Sequence, residues 1–427
     1  MSAQASSSFA PAAAVPSVNE TGLGLLRQPR YVLFGPGQRR QAPQVVAALG
    51  RRVLVVTDAR MATVTEFAEL ADGLRAAGAA VSVFSETEPD LPRENVVEVV
   101  RRFAGQPLDV IVGIGGGSCL DLAKVVSVVL ANGGDVRDYY GEFLVPGPGL
   151  PVVTIPTTGG TGAEVTCVSV IFDREKGMKV GVASPYLEAA AAIIDPELTL
   201  TCPPPLTAAT AADALTHLIE SFTSRAKNPT PAAIAGKLYV GKNVLADTYA
   251  RTGLKVAGTS LEAVAAAPAD LQARSDTMFA AFCAGMAINT AGTAGAHAIQ
   301  SPIGNITHTS HGFGVGALLP YVMRYNLPAR VSEFAEVGRL LEACDASAPE
   351  LSQARAGIER VDAILALLGV PGDLKTLGLS AGDFGYVADQ SLLATRLTDN
   401  NPRPLDRKGI VRILERGYAG DRSWDFA

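Results

Sequence analysis

Histidine, tryptophan and charge are all scarce in this chain. Its 427 residues include four histidines and one tryptophan, and 18% of positions are charged. A net charge of −6 over that length leaves no basic face, so nucleic acid is not expected as a partner. The five cysteines (Cys119, Cys167, Cys202, Cys283 and Cys344) form no CxxC pair. An odd, scattered set argues for reduced thiols and a cytoplasmic setting. The opening "MSAQASSSFAPAAAVPSVNE" lacks a basic segment followed by a compact apolar one, so it does not read as a signal peptide. Residues 1–27 are expected to form a flexible tail. The uncharged stretch 278–298 is long enough to span a membrane, yet it contains Asn289, Thr290, Thr293 and His297 and has no anchor-like flanks. It is expected to be a helix buried inside a large domain, with no membrane partner.

The hydrophobic share is high, at 48%, which allows a sizeable core. In the first half, short Val- and Ile-rich runs ("RYVLFG", "RRVLVVTD", "AAVSVFSE", "LDVIVGIGGG", "LPVVTIPTT") alternate with segments of helical length such as 61–77 and 93–104. That alternation predicts βαβ units and a mostly parallel sheet. "VSVIFDREKGMKVGV" has a polar turn between apolar arms and is expected to be a hairpin. "AAAAIIDPEL" reads as one last strand that leaves the sheet. After "TCPPPL" the texture turns Ala- and Leu-rich with few β-branched runs. The boundary is placed at 203/204: an α/β domain over 28–203, and an all-helical domain over 204–427.

Two small-residue loops follow predicted strands. "GIGGGSCLDLAK" (113–124) opens a helix, and Gly115, Gly116 and Gly117 let the backbone approach a diphosphate at the helix N-terminus. A plain turn in which Ser118 caps the helix and Asp121 completes a capping box is the other reading, and the two are compatible because a cap and a phosphate site occupy the same place. The strict GxGxxG pattern is not met. "TIPTTGGTGAEVT" (154–166) supplies hydroxyls at Thr157, Thr158, Thr161 and Thr166. Two such loops at successive strand ends point to a Rossmann-like dinucleotide site, in which Asp121 and the three glycines count as cofactor candidates. Asp58 ends "RRVLVVTD", where a carboxylate bonds ribose hydroxyls and repels a 2′-phosphate, so NAD is expected over NADP. A helix-capping role for Asp58 is compatible with this.

Three of the four histidines fall in "GAHAIQSPIGNITHTSHGFG" (295–314), within a segment free of Asp, Glu, Lys and Arg from 277 to 323. Buried imidazoles need partners. The fourth, in "AADALTHLIES", follows Asp213 by four residues, so Asp213 and His217 share a helix face. They read either as a hydrogen-bonded pair or, taken with His297 and His311, as one carboxylate and three imidazoles. The second set suits Fe²⁺ or Zn²⁺. His308 stands near enough to line the same pocket.

At this point the residues resemble the iron-dependent, group III alcohol dehydrogenases. The resemblance runs from about Tyr31 to Tyr418 and includes "VVTDARM", "GIGGGSCLDLAK", "IPTTGGTGAEVT", "IIDPELTLTCPPPLTAATAADALTHLIES", "HGFGVGALLPYVMRYN" and "DNNPRPL". It implies an N-terminal dinucleotide domain facing an all-helical metal domain, with Asp213, His217, His297 and His311 as metal ligands and iron as the preferred ion. It places cofactor contacts on Asp58, Gly116, Gly117, Ser118, Thr157, Thr158, Thr161, Thr166 and Lys179, and it implies a homodimer. The expected activity is NAD-dependent hydride exchange with a small primary alcohol or aldehyde. A relative acting on hydroxy acids, or moving hydride between a hydroxy acid and an oxo acid, is the alternative. For that alternative Arg225 and Lys227 are the candidate basic residues. Three departures stand out. Ser301 occupies a position where the family usually has an active-site histidine, leaving His308 as a candidate for proton transfer. Leu397 replaces a common cysteine, and 228–265 is longer than its counterpart.

Overall fold

The computed structural model describes residues 22–425; residues 1–21, most of the tail expected over 1–27, lie outside the described residues, as do 426–427. Near the start of the described part, the Arg27 guanidinium donates to the carbonyls of Lys237 (2.8 Å) and Leu238 (3.3 Å).

Among the described residues, nine strands form in the first half: β1 (Tyr31–Phe34), β2 (Arg52–Val56), β3 (Ala80–Phe84), β4 (Val110–Gly115), β5 (Gly141–Glu142), β6 (Val152–Pro156), β7 (Val168–Asp173), β8 (Met178–Ala183) and β9 (Ala191–Ile194). Six of them build a parallel sheet in the order β1-β9-β6-β4-β2-β3. Every residue of β4, β6 and β9 is buried, which is why their sequences are continuous apolar runs rather than alternating ones. The outer strands β1 and β3 are partly exposed. Side chains still alternate between faces. Leu54, Val56 and Ile111 pack under α3 (Arg93–Phe103) and α4 (Gly117–Asn132). Val53, Val55, Val110, Val112 and Ile155 pack under α1 (Ala42–Ala47) and α2 (Thr65–Ala76). The sheet is therefore covered on both sides, as a Rossmann-like unit requires.

β7 and β8 pair antiparallel, as the hairpin reading expects, but in a separate three-stranded sheet of order β5-β8-β7. β9 is the last strand, yet it lies inside the main sheet between β1 and β6.

Among the described residues only helices and loops follow β9. They are α5 (Pro204–Thr223), α6 (Val244–Ala266), α7 (Leu271–Ala291), α8 (Gly295–Thr307), α9 (His311–Asn326), α10 (Val331–Leu340), α11 (Glu350–Leu367), α12 (Phe384–Leu393), α13 (Thr395–Thr398) and α14 (Arg407–Ala419). α5 opens with prolines in its first turn, where the missing N–H costs nothing. Its Leu215, Leu218 and Phe222 are fully buried against α7 and α9. The uncharged stretch 278–298 is divided between α7 and α8, and no described helix is long and apolar enough to cross a membrane.

Candidate active site

Strands β2, β4 and β6 run parallel with Val56 beside Gly113 and Gly115 beside Pro156, so the loops that follow them leave one edge of the sheet side by side. Open α/β sheets bind ligands at such an edge. Gly115 has φ +149°, and a Cβ there would stand 2.5 Å from Cys119 Sγ, so both backbone angle and space require glycine. The helix that follows starts earlier than expected. Gly116, not Ser118, is the N-cap of α4, and no side chain caps it. The expected capping box is absent for a physical reason. The Asp121 carboxylate is drawn to the buried Lys124 ammonium (2.9 Å) and accepts the Val170 N–H (2.9 Å). Lys124 in turn donates to the carbonyls of Ala163 (2.9 Å), Thr166 (3.2 Å) and Val168 (2.5 Å), fastening α4 to the threonine loop. Asp58 Oδ1 accepts the Met61 N–H (2.8 Å), so Asp58 caps the turn after β2 while also facing the cleft.

Across the cleft, α5 presents Asp213, His217 and Glu220 at i, i+4 and i+7, one stripe of a buried helix. His297 enters from the first turn of α8 and His311 is the first residue of α9. Asp213 Oδ1 is the focus: His217 Nε2 lies 3.5 Å from it, His297 Nε2 3.6 Å and His311 Nε2 3.7 Å. The Nε2 atoms of His217 and His297 are 3.0 Å apart. Asp213, His297 and His311 each offer one ligand atom, all within 4.8 Å of one another. Four ligands placed tetrahedrally at about 2.1 Å from one ion are separated by about 3.4 Å, which is the spacing found around Asp213. Asp213 Oδ1 is moreover buried without a hydrogen-bond donor. A carboxylate oxygen in that condition is costly unless a cation completes it. The donor set fits a divalent metal ion.

Two residues not foreseen from the sequence aim these rings. Glu220 accepts the N–H groups of Ala294 (2.7 Å) and Ala296 (2.6 Å) and contacts His297 Nδ1 at 2.6 Å. With Nδ1 donating to Glu220, Nε2 is the ring atom that faces Asp213. Gln300 Oε1 is 2.8 Å from His311 Nδ1 and does the same there. The signal for Glu220 was present, because it continues the Asp213–His217 stripe by one turn. Gln300 carried no signal beyond lying three residues after His297. The ring positions also depend on Gly312, where a Cβ would come within 1.9 Å of the Ala209 carbonyl oxygen and force α9 off α5.

Burial pushes the His217 and His311 pKa values down, keeping both rings neutral at physiological pH, as ligands must be. Burial also works to raise Asp213, but His217, His297 and His311 outweigh it and hold the carboxyl well below its usual range. At His297 burial is outweighed by Glu220 and Asp213, which raise the imidazole to about 9. The cluster thus attracts positive charge.

These groups and both loops line one cleft of about 1220 Å³, room for a dinucleotide and a small substrate. Every metal-ligand, cofactor and catalytic candidate faces it except Gly115, which shapes the turn from behind. Ser301 is half-buried in the wall. His308, at φ +55° after α8, is exposed at the rim. Lys179 Nζ pairs with Asp90 at 2.6 Å. Arg225 and Lys227 are exposed and do not line the cleft, so they give the hydroxy-acid alternative no support.

Comparison with known proteins gives two family-model matches in succession along the chain. Residues 29–196 match the family model described as iron-containing alcohol dehydrogenase, and residues 207–418 match the C-terminal part of the Fe-containing alcohol dehydrogenase family. Long-chain-alcohol dehydrogenase 1 of Geobacillus thermodenitrificans is 32% identical over 382 residues, covering 88% of this chain and 92% of that protein. Sulfoacetaldehyde reductase of Bilophila wadsworthia is 32% identical, covering 91% and 97%. The crystal structure of a 1,3-propanediol oxidoreductase superposes with a TM-score of 0.86 at 29% identity, covering 93% of this chain and all of the other.

Proposed function

This chain belongs to the iron-containing alcohol dehydrogenase family, and from that premise we propose that it interconverts a small primary alcohol and its aldehyde with NAD(H). The observation that carries the reading is Asp213 Oδ1, buried without a donor amid three imidazole nitrogens in the cleft that both loops enter. Asp213, His217, His297 and His311 would hold the ion, with iron the family's preference and zinc acceptable to the same donors. When bound, a divalent ion acts there as a Lewis acid toward the substrate oxygen.

The rest of the work falls to this chain's own groups. Glu220 and Gln300 keep the Nε2 atoms of His297 and His311 aimed inward. Gly116 and Gly117, at the uncapped start of α4, receive the cofactor diphosphate, and Thr157, Thr158 and Thr161 offer hydroxyls beside it. Asp58 faces the ribose end and selects against a 2′-phosphate. Lys124 holds the two loops in register. A serine at Ser301 does not titrate near neutral pH, so proton exchange passes to water and to His308 at the rim. The test is a spectrophotometric assay of NADH oxidation with a series of short aldehydes. Turnover with NADH and little with NADPH supports the reading; no turnover of any aldehyde with either cofactor sinks it.

A further inference from the structure

Three cations line the cleft: Arg60, Lys179 and Arg396. Arg60 follows Asp58 by two residues at the dinucleotide end, and Lys179 is paired with Asp90. Arg396 is different. It is half-buried on α13, and its guanidinium lies 4.5 Å over the ring of Tyr239. No described residue forms a hydrogen bond or ion pair with its side chain. An arginine stacked on an aromatic face is held in place while its N–H donors stay available.

Its position ties it to the metal end. A Cβ on Gly292 would stand 3.5 Å from an Arg396 terminal nitrogen, so the guanidinium covers the turn between α7 and α8. That turn and the first residues of α8 deliver the Ala294 and Ala296 N–H groups to Glu220 and run directly into His297.

We infer that Arg396, propped on Tyr239, is the subsite for an oxyanion at the far end of the substrate. The substrate is then a short aldehyde or alcohol whose other end is a carboxylate or sulfonate. This rests on the alcohol/aldehyde reading of the metal end. A planar guanidinium suits either group through paired N–H donors.

The test compares kcat/KM for succinate semialdehyde, its sulfonate analogue of equal length, and uncharged butanal. The wild type should favour at least one charged aldehyde over butanal by about tenfold or more, the order expected of a hydrogen bond to a charged group. Which of the two leads tells carboxylate from sulfonate. In Arg396→Gln that preference should shrink by about tenfold, and Arg396→Lys should keep part of it. No preference in the wild type, or an unchanged preference in Arg396→Gln, overturns the subsite. If none of the three aldehydes is reduced, it is the alcohol/aldehyde reading that fails. Calorimetric binding of succinate then decides the subsite separately: weaker binding in Arg396→Gln supports it, and equal binding in both proteins overturns it.

Discussion

The sheet-side wall of the cleft is made largely of backbone, whereas the helical wall concentrates its chemistry in a few side chains. Gly116 and Gly117 present main chain at the start of α4, and the loop after β6 is fastened by Lys124 through main-chain carbonyls. Opposite them, Asp213, His217, His297 and His311 converge from three helices, each ring aimed by one further contact at most. A backbone-built site survives many side-chain changes because its donors are not encoded by residue type. A side-chain-built site fails when one member is lost. The two walls should therefore respond very differently to single substitutions.

The largest contrast is expected from His217→Ala or His311→Ala. Each should lower kcat on an aldehyde by on the order of a thousandfold, since Lewis-acid stabilisation contributes several kcal/mol. NADH binding, read by fluorescence titration, should change little, because the sheet wall is untouched. Loss of NADH binding in these variants would show that the walls are not independent. Glu220→Gln probes one step further out. It should weaken metal affinity by about ten- to a hundredfold, since the amide aims His297 less firmly; wild-type affinity would contradict the role given to Glu220.

The sheet wall has its own weak point in Glu164. Burial pushes this carboxyl up to about 7, from an ordinary value of 4.5. A raised acid pKa means the fold favours the protonated form. Its contribution is fully present below the ordinary value and is lost as pH rises through about 7. Glu164→Gln should therefore gain stability over the wild type between pH 5 and pH 8.5, by about 2 kcal/mol in denaturant titrations. A constant difference at both pH values would contradict this. The smallest effect is expected at Asp58: Asp58→Gly should narrow the preference for NADH over NADPH by about tenfold in kcat/KM. A wild type that favours NADPH would reverse the assignment.

Much of this difference is legible in the amino-acid sequence, for reasons that differ between the walls. The parallel sheet announces itself because strands buried on both faces need unbroken runs such as "VIVGIG". The metal cluster was legible because histidine is so scarce that its concentration in an uncharged segment demands a partner. Ser118 does not cap the helix, as one reading of the sequence allows, because Gly116 takes the extended cap conformation without offering a side chain, and α4 starts at Gly117. Asp121 completes no capping box, since its pull toward Lys124 depends on a lysine fully buried one turn later. Arg396 had no signal at all. Its importance arises from stacking on Tyr239, 157 residues away in sequence, which no local pattern encodes.

The central claim is that Asp213, His217, His297 and His311 together hold a divalent ion on which turnover depends. Stripping the purified protein with a chelator and titrating Fe²⁺ back, while following aldehyde-dependent NADH oxidation, tests it most directly. Activity should vanish on stripping and return in proportion to added iron, levelling off at roughly one ion per chain. His311→Ala should show no such saturation. A stripped protein that keeps full activity, with metal content shown to be negligible, would contradict the account.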